Sequence, residues 1–382
     1  MTRFPTRETI VGIVANPASG RDIRRLVASA SVYPVAEKCN MITRLLAALN
    51  ATAVGRVLLM PDVGGISDRL RRAILQRGVG WSQVEFLKMP IGDSPDDTVC
   101  AVELMAARRV AAIIILGGDG THRLVAGACG EIPLMTLSTG TNNVFPHMRE
   151  ATVAGMATGL IATGRVSSTQ GTVRNKVLRV EIDGKPRGLA VVDASISSEW
   201  WTGSKALWRP ESLRQIFVTF AEPDAIGLSA IAGLLHPVSR RAAHGLRVDL
   251  VPVERAALTL KAPIAPGLLA TVGVVAVREI QPGEHQTIAK SQGVIALDGE
   301  REIEFRSDQH VTLRLDSNGP LSIDIKKVMT LAAQDGLFLT QRQSCEEEQG
   351  VLAELPNGKL REGMLQETDH RAKPSGPLTL KL

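Results

Sequence analysis

Apolar residues over the first 150 positions follow two alternating rhythms. Short runs with few polar side chains, Ile10–Ala15, Arg56–Met60, Val84–Leu87, Ala111–Leu116 and Ile132–Leu137, predict strands covered on both faces, as in a parallel sheet. Between them, spacings of three and four predict amphipathic helices. Cys39, Ile42, Leu45, Leu46 and Leu49 form one face over 36–49, and Ile66, Leu70, Ala73 and Ile74 form another, ended by Gly78 and Gly80. Ser94-Pro95-Asp96-Asp97 predicts a third helix, with a capping serine, a proline in the first position and two acids against the helix dipole. That helix ends near Arg108 and Arg109, and a short one is expected over His122–Cys129. Such alternation predicts an N-terminal doubly wound, mostly parallel sheet with helices on both faces.

Beyond residue 150 the pattern changes. Residues 151–164 are rich in alanine and glycine, and their weak helical signal reads as a hinge. Lys176–Ile182 and Leu189–Ile196 flank Asp183-Gly184-Lys185-Pro186, a hairpin signal. Further strands are expected at Ile216–Phe220, Leu246–Val251, Ala256–Leu260, Leu269–Val277, Gly293–Leu297, Glu302–Phe305 and Val311–Leu315, with a helix-like insertion at Asp224–Leu235. Strands without intervening helices predict an antiparallel β domain. Ser322–Ala333 reads as a strand and helix returning to the first domain, and the polar sequence from Gln341 as a loosely ordered tail. The expected organisation is an α/β nucleotide-binding domain over 1–150, a β-rich domain over 151–320, a return segment over 321–340 and a tail over 341–382.

Composition narrows this picture only slightly. With 382 residues and 44% hydrophobic content, the chain can bury a core large enough for two domains. Charged residues up to Glu8 precede an apolar run of strand length, so neither a signal peptide nor membrane insertion is expected. The four cysteines are widely spaced with no CxxC pair, which reads as reduced thiols in a cytoplasmic protein. A net charge of +5 favours an anionic ligand such as a nucleotide but suits any basic enzyme; 3% aromatic residues argue against a nucleic-acid-stacking surface.

The candidate chemistry lies where strands end. Ala111–Leu116 runs into Gly117-Gly118-Asp119-Gly120-Thr121, a glycine-rich turn carrying one carboxylate at the carboxyl end of a buried strand, the edge where open α/β sheets bind ligands. Ile10–Ala15 runs into Asn16-Pro17-Ala18-Ser19-Gly20-Arg21-Asp22, a candidate phosphate loop or a plain strand-to-helix turn. A third loop, Ser138-Thr139-Gly140-Thr141-Asn142-Asn143, ends the next strand and faces the same crevice.

These loops, with Leu297-Asp298-Gly299-Glu300, resemble the superfamily that joins NAD kinases with diacylglycerol and sphingosine kinases. Over about residues 8–335 the chain looks most like the ATP-NAD kinase-like branch named after acetoin catabolism protein X. The resemblance implies a nucleotide-holding crevice between an α/β domain and a β-sandwich domain. It also implies phosphoryl transfer from ATP with Mg²⁺ to a hydroxyl of NAD or a related metabolite, NADP biosynthesis and a link to acetoin catabolism. Asp119 is then a catalytic residue near the acceptor hydroxyl, able to take its proton or help hold Mg²⁺, with a turn-stabilising aspartate as the plain alternative. Asn16, Ser19, Gly20, Gly117, Gly118, Gly120, Thr121, Ser138, Gly140, Thr141, Asn142 and Asn143 are the expected nucleotide- and phosphate-binding residues.

Asp298 and Glu300 match the Asp-Gly-Glu of the lipid-kinase side, so Glu300 is expected in catalysis and Asp298 as a metal ligand, unless the pair is only a hairpin turn. Asp193 stands where NAD kinases carry the acid of an Asn-Glu pair and is a substrate candidate. So is Arg123, which can meet a phosphate, or else occupies the first helical turn beside His122. Trp200, Trp201 and Trp208 suggest an aromatic wall, with Trp200 and Lys205 toward substrate, or a domain or subunit interface. Family practice and this cluster make a homodimer the expectation. The rivals to the NAD kinase-like reading are a lipid or sphingoid-base kinase and a catalytically silent nucleotide-binding regulator.

Overall fold

The computed structural model describes residues 8–19, 33–77, 81–140, 143–198, 210–288 and 292–339. Five strands, β1 (Ile10–Ala15), β2 (Arg56–Leu59), β3 (Gln83–Phe86), β4 (Ala112–Gly117) and β5 (Leu134–Ser138), pair in parallel in the order β3-β2-β1-β4-β5. The unbroken apolar run of β4 has a simple cause. Ala112, Ile114 and Leu116 enter the core on one face, and Ile113 and Ile115 the core on the other.

Helices α1 (Val35–Ala51) and α2 (Ile66–Arg77) supply side chains to the first core, and α3 (Pro95–Ala107) and α4 (Asp119–Ala128) to the second. The capping box expected at Ser94 forms, with Asp97 as its reciprocal partner. The segment read as a hinge is instead α5 (Ala151–Ala162), packed against α1 inside the first core. Its small residues serve close approach and not flexibility. A Cβ on Gly155 would lie 2.8 Å from that of Ala48, and one on Gly159 would overlap the Thr52 hydroxyl.

After a one-turn helix, α6 (Ser168–Gly171), β6 (Thr172–Arg174) joins the far edge of the same sheet, beside β18 (Leu321–Ile323), which runs parallel to β5. The helix that follows β18 buries Val328 and Ala332 in the first core.

The intervening chain forms two antiparallel sheets. One has the order β12 (Leu258–Ala265), β13 (Leu268–Ile280), β11 (Gly245–Val251), β10 (Leu213–Val218), β9 (Asp193–Ser197), β15 (Gly293–Leu297) and β16 (Glu300–Phe305). The other is β14 (His285–Thr287), β17 (Val311–Asp316), β7 (Val177–Ile182) and β8 (Lys185–Ala190). They share a core that includes Leu178, Val180, Phe217, Ile295, Phe305 and Leu313. The helical insertion expected at 224–235 is shorter, α7 (Ser229–Leu235), and α8 (Ile325–Gln334) is the helix after β18.

The run read as one strand over 189–196 is two, β8 and β9, in different sheets. Its break at Val191-Val192 is fixed from a distance. The Asp298 carboxylate accepts hydrogen bonds from the amides of Val191, Val192 and Asp193 at 2.8–3.2 Å, so these amides are lost to the ladder. Up to Phe338 the chain packs as one compact unit.

Candidate active site

A cleft of about 340 Å³ opens where β1, β4 and β5 end, bounded on the opposite side by the β15–β16 hairpin. Its floor is built by three loops that hold one another. The Asn16 side-chain Nδ2 donates to the Thr121 hydroxyl (2.9 Å), while its Oδ1 accepts from the Ala18 backbone amide (2.8 Å). Ser19 is buried against Thr139, with the two hydroxyls 2.9 Å apart. Asn143 donates to the Ser138 hydroxyl at 2.6 Å. Gly118 and Gly140 lie face to face, since a Cβ on Gly140 would sit 2.8 Å from the Gly118 Cα and 2.5 Å from the Asn143 side-chain oxygen.

Helix α4 begins at this point. Its N-cap is Gly118, so among the described residues no capping side chain covers the first-turn amides at the cleft. Asp119, the first helical residue, is 7% exposed. Its carboxylate accepts from the amides of Val144 (3.0 Å) and Phe145 (2.9 Å). The glycine turn and the 143–145 segment are thus locked together by one acid. From the other side Arg240 donates to the carbonyls of Val144 and Phe145 while pairing with Glu222 at 2.9 Å. The two peptide units are gripped on both edges.

The Asp298-Gly299 pair is a tight hairpin turn, with positive φ at both residues (52° and 79°). It is also more than a turn. The Asp298 side chain is fully buried, and burial pushes its pKa well up, against the pull of Arg123 and with Asp193 and Asp119 adding to the rise. With its oxygens on three backbone amides, Asp298 anchors the 191–193 bend. Glu300 leaves the turn toward α4, where its carboxylate would lie 3.2 Å from a Cβ on Gly120. Alanine there would crowd the acid.

Arg123, 11% exposed, reaches Glu302 at 2.9 Å and stands 3.7 Å from Asp298 and 3.9 Å from Glu300. It is the one cation among the described residues lining the cleft, against the carboxylates of Asp62, Asp93, Asp97, Asp119, Asp298, Glu300 and Glu302. Asp62 and Asp97 are committed to backbone amides. The neighbouring His122 is fully buried. Burial drives its pKa down to about 4, opposed by its bond to the Gly118 carbonyl (2.8 Å), so it is a neutral donor to the glycine turn.

Other candidates lie elsewhere. Asp193 is buried beneath the Asp298 turn, accepting from Ser195 at 3.1 Å, and does not line the cleft. Gly20, Thr141, Asn142, Trp200 and Lys205 fall outside the described residues. Gly117 is packed against Thr121, whose side chain a Cβ would meet at 2.5 Å.

One residue that matters was missed. Lys38 is wholly buried in the first turns of α1, and its ammonium donates to the carbonyls of Asn16 (3.0 Å), Pro17 (3.1 Å) and Ser19 (3.0 Å). The signal was present: position 38 precedes Ile42, Leu45 and Leu49 on the core-facing stripe, where a lysine has no water to meet.

Residues 11–166 match the family described as ATP-NAD kinase N-terminal domain, and residues 176–318 the acetoin catabolism protein X C-terminal domain. Acetoin catabolism protein X of Cupriavidus necator is 46% identical over 336 residues, covering 86% of this chain and 94% of that protein. Among solved structures, a candidate diacylglycerol kinase from Bacillus anthracis str. Sterne is similar at 12% identity and a TM-score of 0.40, over 84% of this chain and 98% of its own. An NAD kinase from Archaeoglobus fulgidus in complex with ATP is similar at 13% identity and a TM-score of 0.36, over 87% and 100%.

Proposed function

The chain belongs to the acetoin catabolism protein X family, and from that premise and the cleft's geometry we propose that it is an ATP-dependent small-molecule kinase, transferring a phosphoryl group to a hydroxyl of NAD or a related metabolite. One observation carries the reading: Gly118 and Gly140 meet at the side-chain-uncapped start of α4, at the carboxyl edge of a parallel sheet. Glycines at that point let phosphate oxygens approach the helix amides, where the dipole favours negative charge. The match to the ATP-NAD kinase N-terminal domain supports ATP as the nucleotide.

Roles divide by exposure. Glu300, whose side chain is 33% exposed beside Gly120 and 3.9 Å from Arg123, is the hairpin carboxylate placed to face an acceptor hydroxyl and take its proton. Asp119, spent on two backbone amides, keeps the floor rigid where phosphates would rest; it acts as a positioning residue. Arg123 holds the hairpin acids at the cleft.

The donor set fits a hard cation brought with the nucleotide. The lining is rich in carboxylates, yet among the described residues no group of three His, Cys, Asp or Glu side chains could hold a metal unaided. Glu302 would share Mg²⁺ with the phosphates, and the ion would offset the repulsion between a polyanion and an acidic cleft.

The test is transfer of label from the γ-phosphate of ATP, with Mg²⁺, to a panel of NAD, NADH, polyols, nucleosides and diacylglycerol. Label should enter a soluble hydroxyl acceptor. Glu300→Gln should lower turnover by about 10²–10⁴-fold with nucleotide affinity nearly unchanged. Transfer to diacylglycerol alone would replace this reading with a lipid kinase. ATP binding without transfer to any acceptor would replace it with a nucleotide-binding regulator.

A further inference from the structure

A second cavity, of about 470 Å³, lies behind the 144–145 segment and, among the described residues, shares no lining residue with the first. Its wall is formed by β5, β6, β18 and the start of α8, and it gathers Arg149, Arg240, Arg241 and Lys326 beside His147. The one carboxylate among its described lining residues is Asp324. That acid is already engaged, capping α8 through the Lys327 amide (3.0 Å) and meeting Arg241 at 3.3 Å. Arg240 is held by Glu222 and lies 4.2 Å over the Phe220 ring. Arg149 and Lys326 have no hydrogen-bond or ion-pair partner among the described residues. Arg240 and Arg241 are each paired with an acid, Glu222 and Asp324, so Arg149 and Lys326 are the charges that leave a positive field inside the concavity, opposite in sign to the acidic first cleft.

We propose that this cavity is a second ligand site, taking a small phosphate-bearing metabolite, and that Arg240 couples it to the Asp119 turn. Guanidinium groups match phosphate oxygens in planar, bidentate geometry, and Arg149 and Lys326 are the unpaired charges available to a dianion. The volume admits more than a bare phosphate. The coupling follows from contacts already described. Arg240 lines the cavity and grips the carbonyls of Val144 and Phe145, whose amides hold Asp119. A ligand that draws on Arg240 therefore acts on the same two peptide units as the acid in the first cleft. The proposal does not depend on the kinase reading, because binding here is separable from any turnover there.

The experiment titrates the full chain with glucose 6-phosphate at constant ionic strength by calorimetry, alongside the Arg149→Ser/Lys326→Ser variant, whose changes touch exposed, unpaired side chains. Saturable binding to the native protein, weakened about tenfold or more in the variant, is expected. Hydrogen exchange at Val144 and Phe145 should slow on binding in the native protein alone. Absence of saturable binding in the millimolar range, or binding unchanged by the double substitution, overturns the site. Binding that leaves exchange at 144–145 unaltered overturns the coupling.

Discussion

Replacing Lys38 by methionine tests whether the buried ammonium organises the first loop of the cleft. Methionine preserves most of the stem and removes three donors, at 3.0, 3.1 and 3.0 Å from the carbonyls of Asn16, Pro17 and Ser19. Asn16 and Pro17 are half-buried and can turn to water, whereas the bond to Ser19 is buried. One buried carbonyl without a donor costs about 1–3 kcal/mol, and the charged bonds lost at the other two add to this, while relief from burying an ammonium offsets part. A net loss of about 2 kcal/mol follows, which for a unit of this size lowers Tm by about 4 °C. Freed of its anchor, Asn16 loses its fixed approach to Thr121, so ATP affinity should fall about tenfold or more. Differential scanning calorimetry and an ATP titration read the two effects, with exposed Lys185→Met as the control expected to stay within about 0.5 kcal/mol. A Lys38→Met protein with native Tm and native ATP affinity would refute the reasoning.

Three further outcomes are expected. Gly140→Ala, whose Cβ must displace the Gly118 backbone at 2.8 Å, should cost about 1–3 kcal/mol and abolish measurable nucleotide binding, as read by thermal shift with and without ATP. His122, with a folded pKa of about 4 against 6.5 for the free side chain, leaves the unfolded chain holding more protons as pH falls through this range. Stability should thus drop by about 3 kcal/mol between pH 6.5 and 4, a drop missing from His122→Gln in urea titrations. Lys176, pushed down to about 8 by burial, gives the opposite end of the scale. Above pH 8 the folded state sheds its proton while the unfolded state keeps it, so the denaturation midpoint should climb toward pH 10 in the native protein and stay flatter in Lys176→Met.

The sequence was most legible where chemistry is local. The two faces of β4, the capping box at Ser94 and the Asp183-Gly184 turn are decided by neighbours within a few residues, so pattern alone predicts them. The bend at Val191-Val192 was not legible, because the acid that captures its amides is more than a hundred positions away at Asp298. Small residues misled at α5, since alanine and glycine mark flexibility and tight packing equally until the partner helix is known. At the site, the loops that line the cleft were readable from their motifs, and Asp298-Gly299 forms the hairpin turn that was their plain reading. What the motifs did not reveal was the difference in setting between Asp119, bound to backbone amides, and Glu300, left partly exposed. That difference is set by the amides of Val144 and Phe145 and by Arg240, none of which lies in a recognisable motif.

The most direct test of the account is a structure of the full chain with Mg²⁺ and a non-hydrolysable ATP analogue. The account predicts phosphates resting on the amides of residues 118–121, facing Gly140 and Asn143, with Glu302 at the cation and Glu300 open toward the acceptor. Phosphates bound elsewhere, or a nucleotide seated in the basic cavity behind Phe145 with the acidic cleft unchanged, would contradict it.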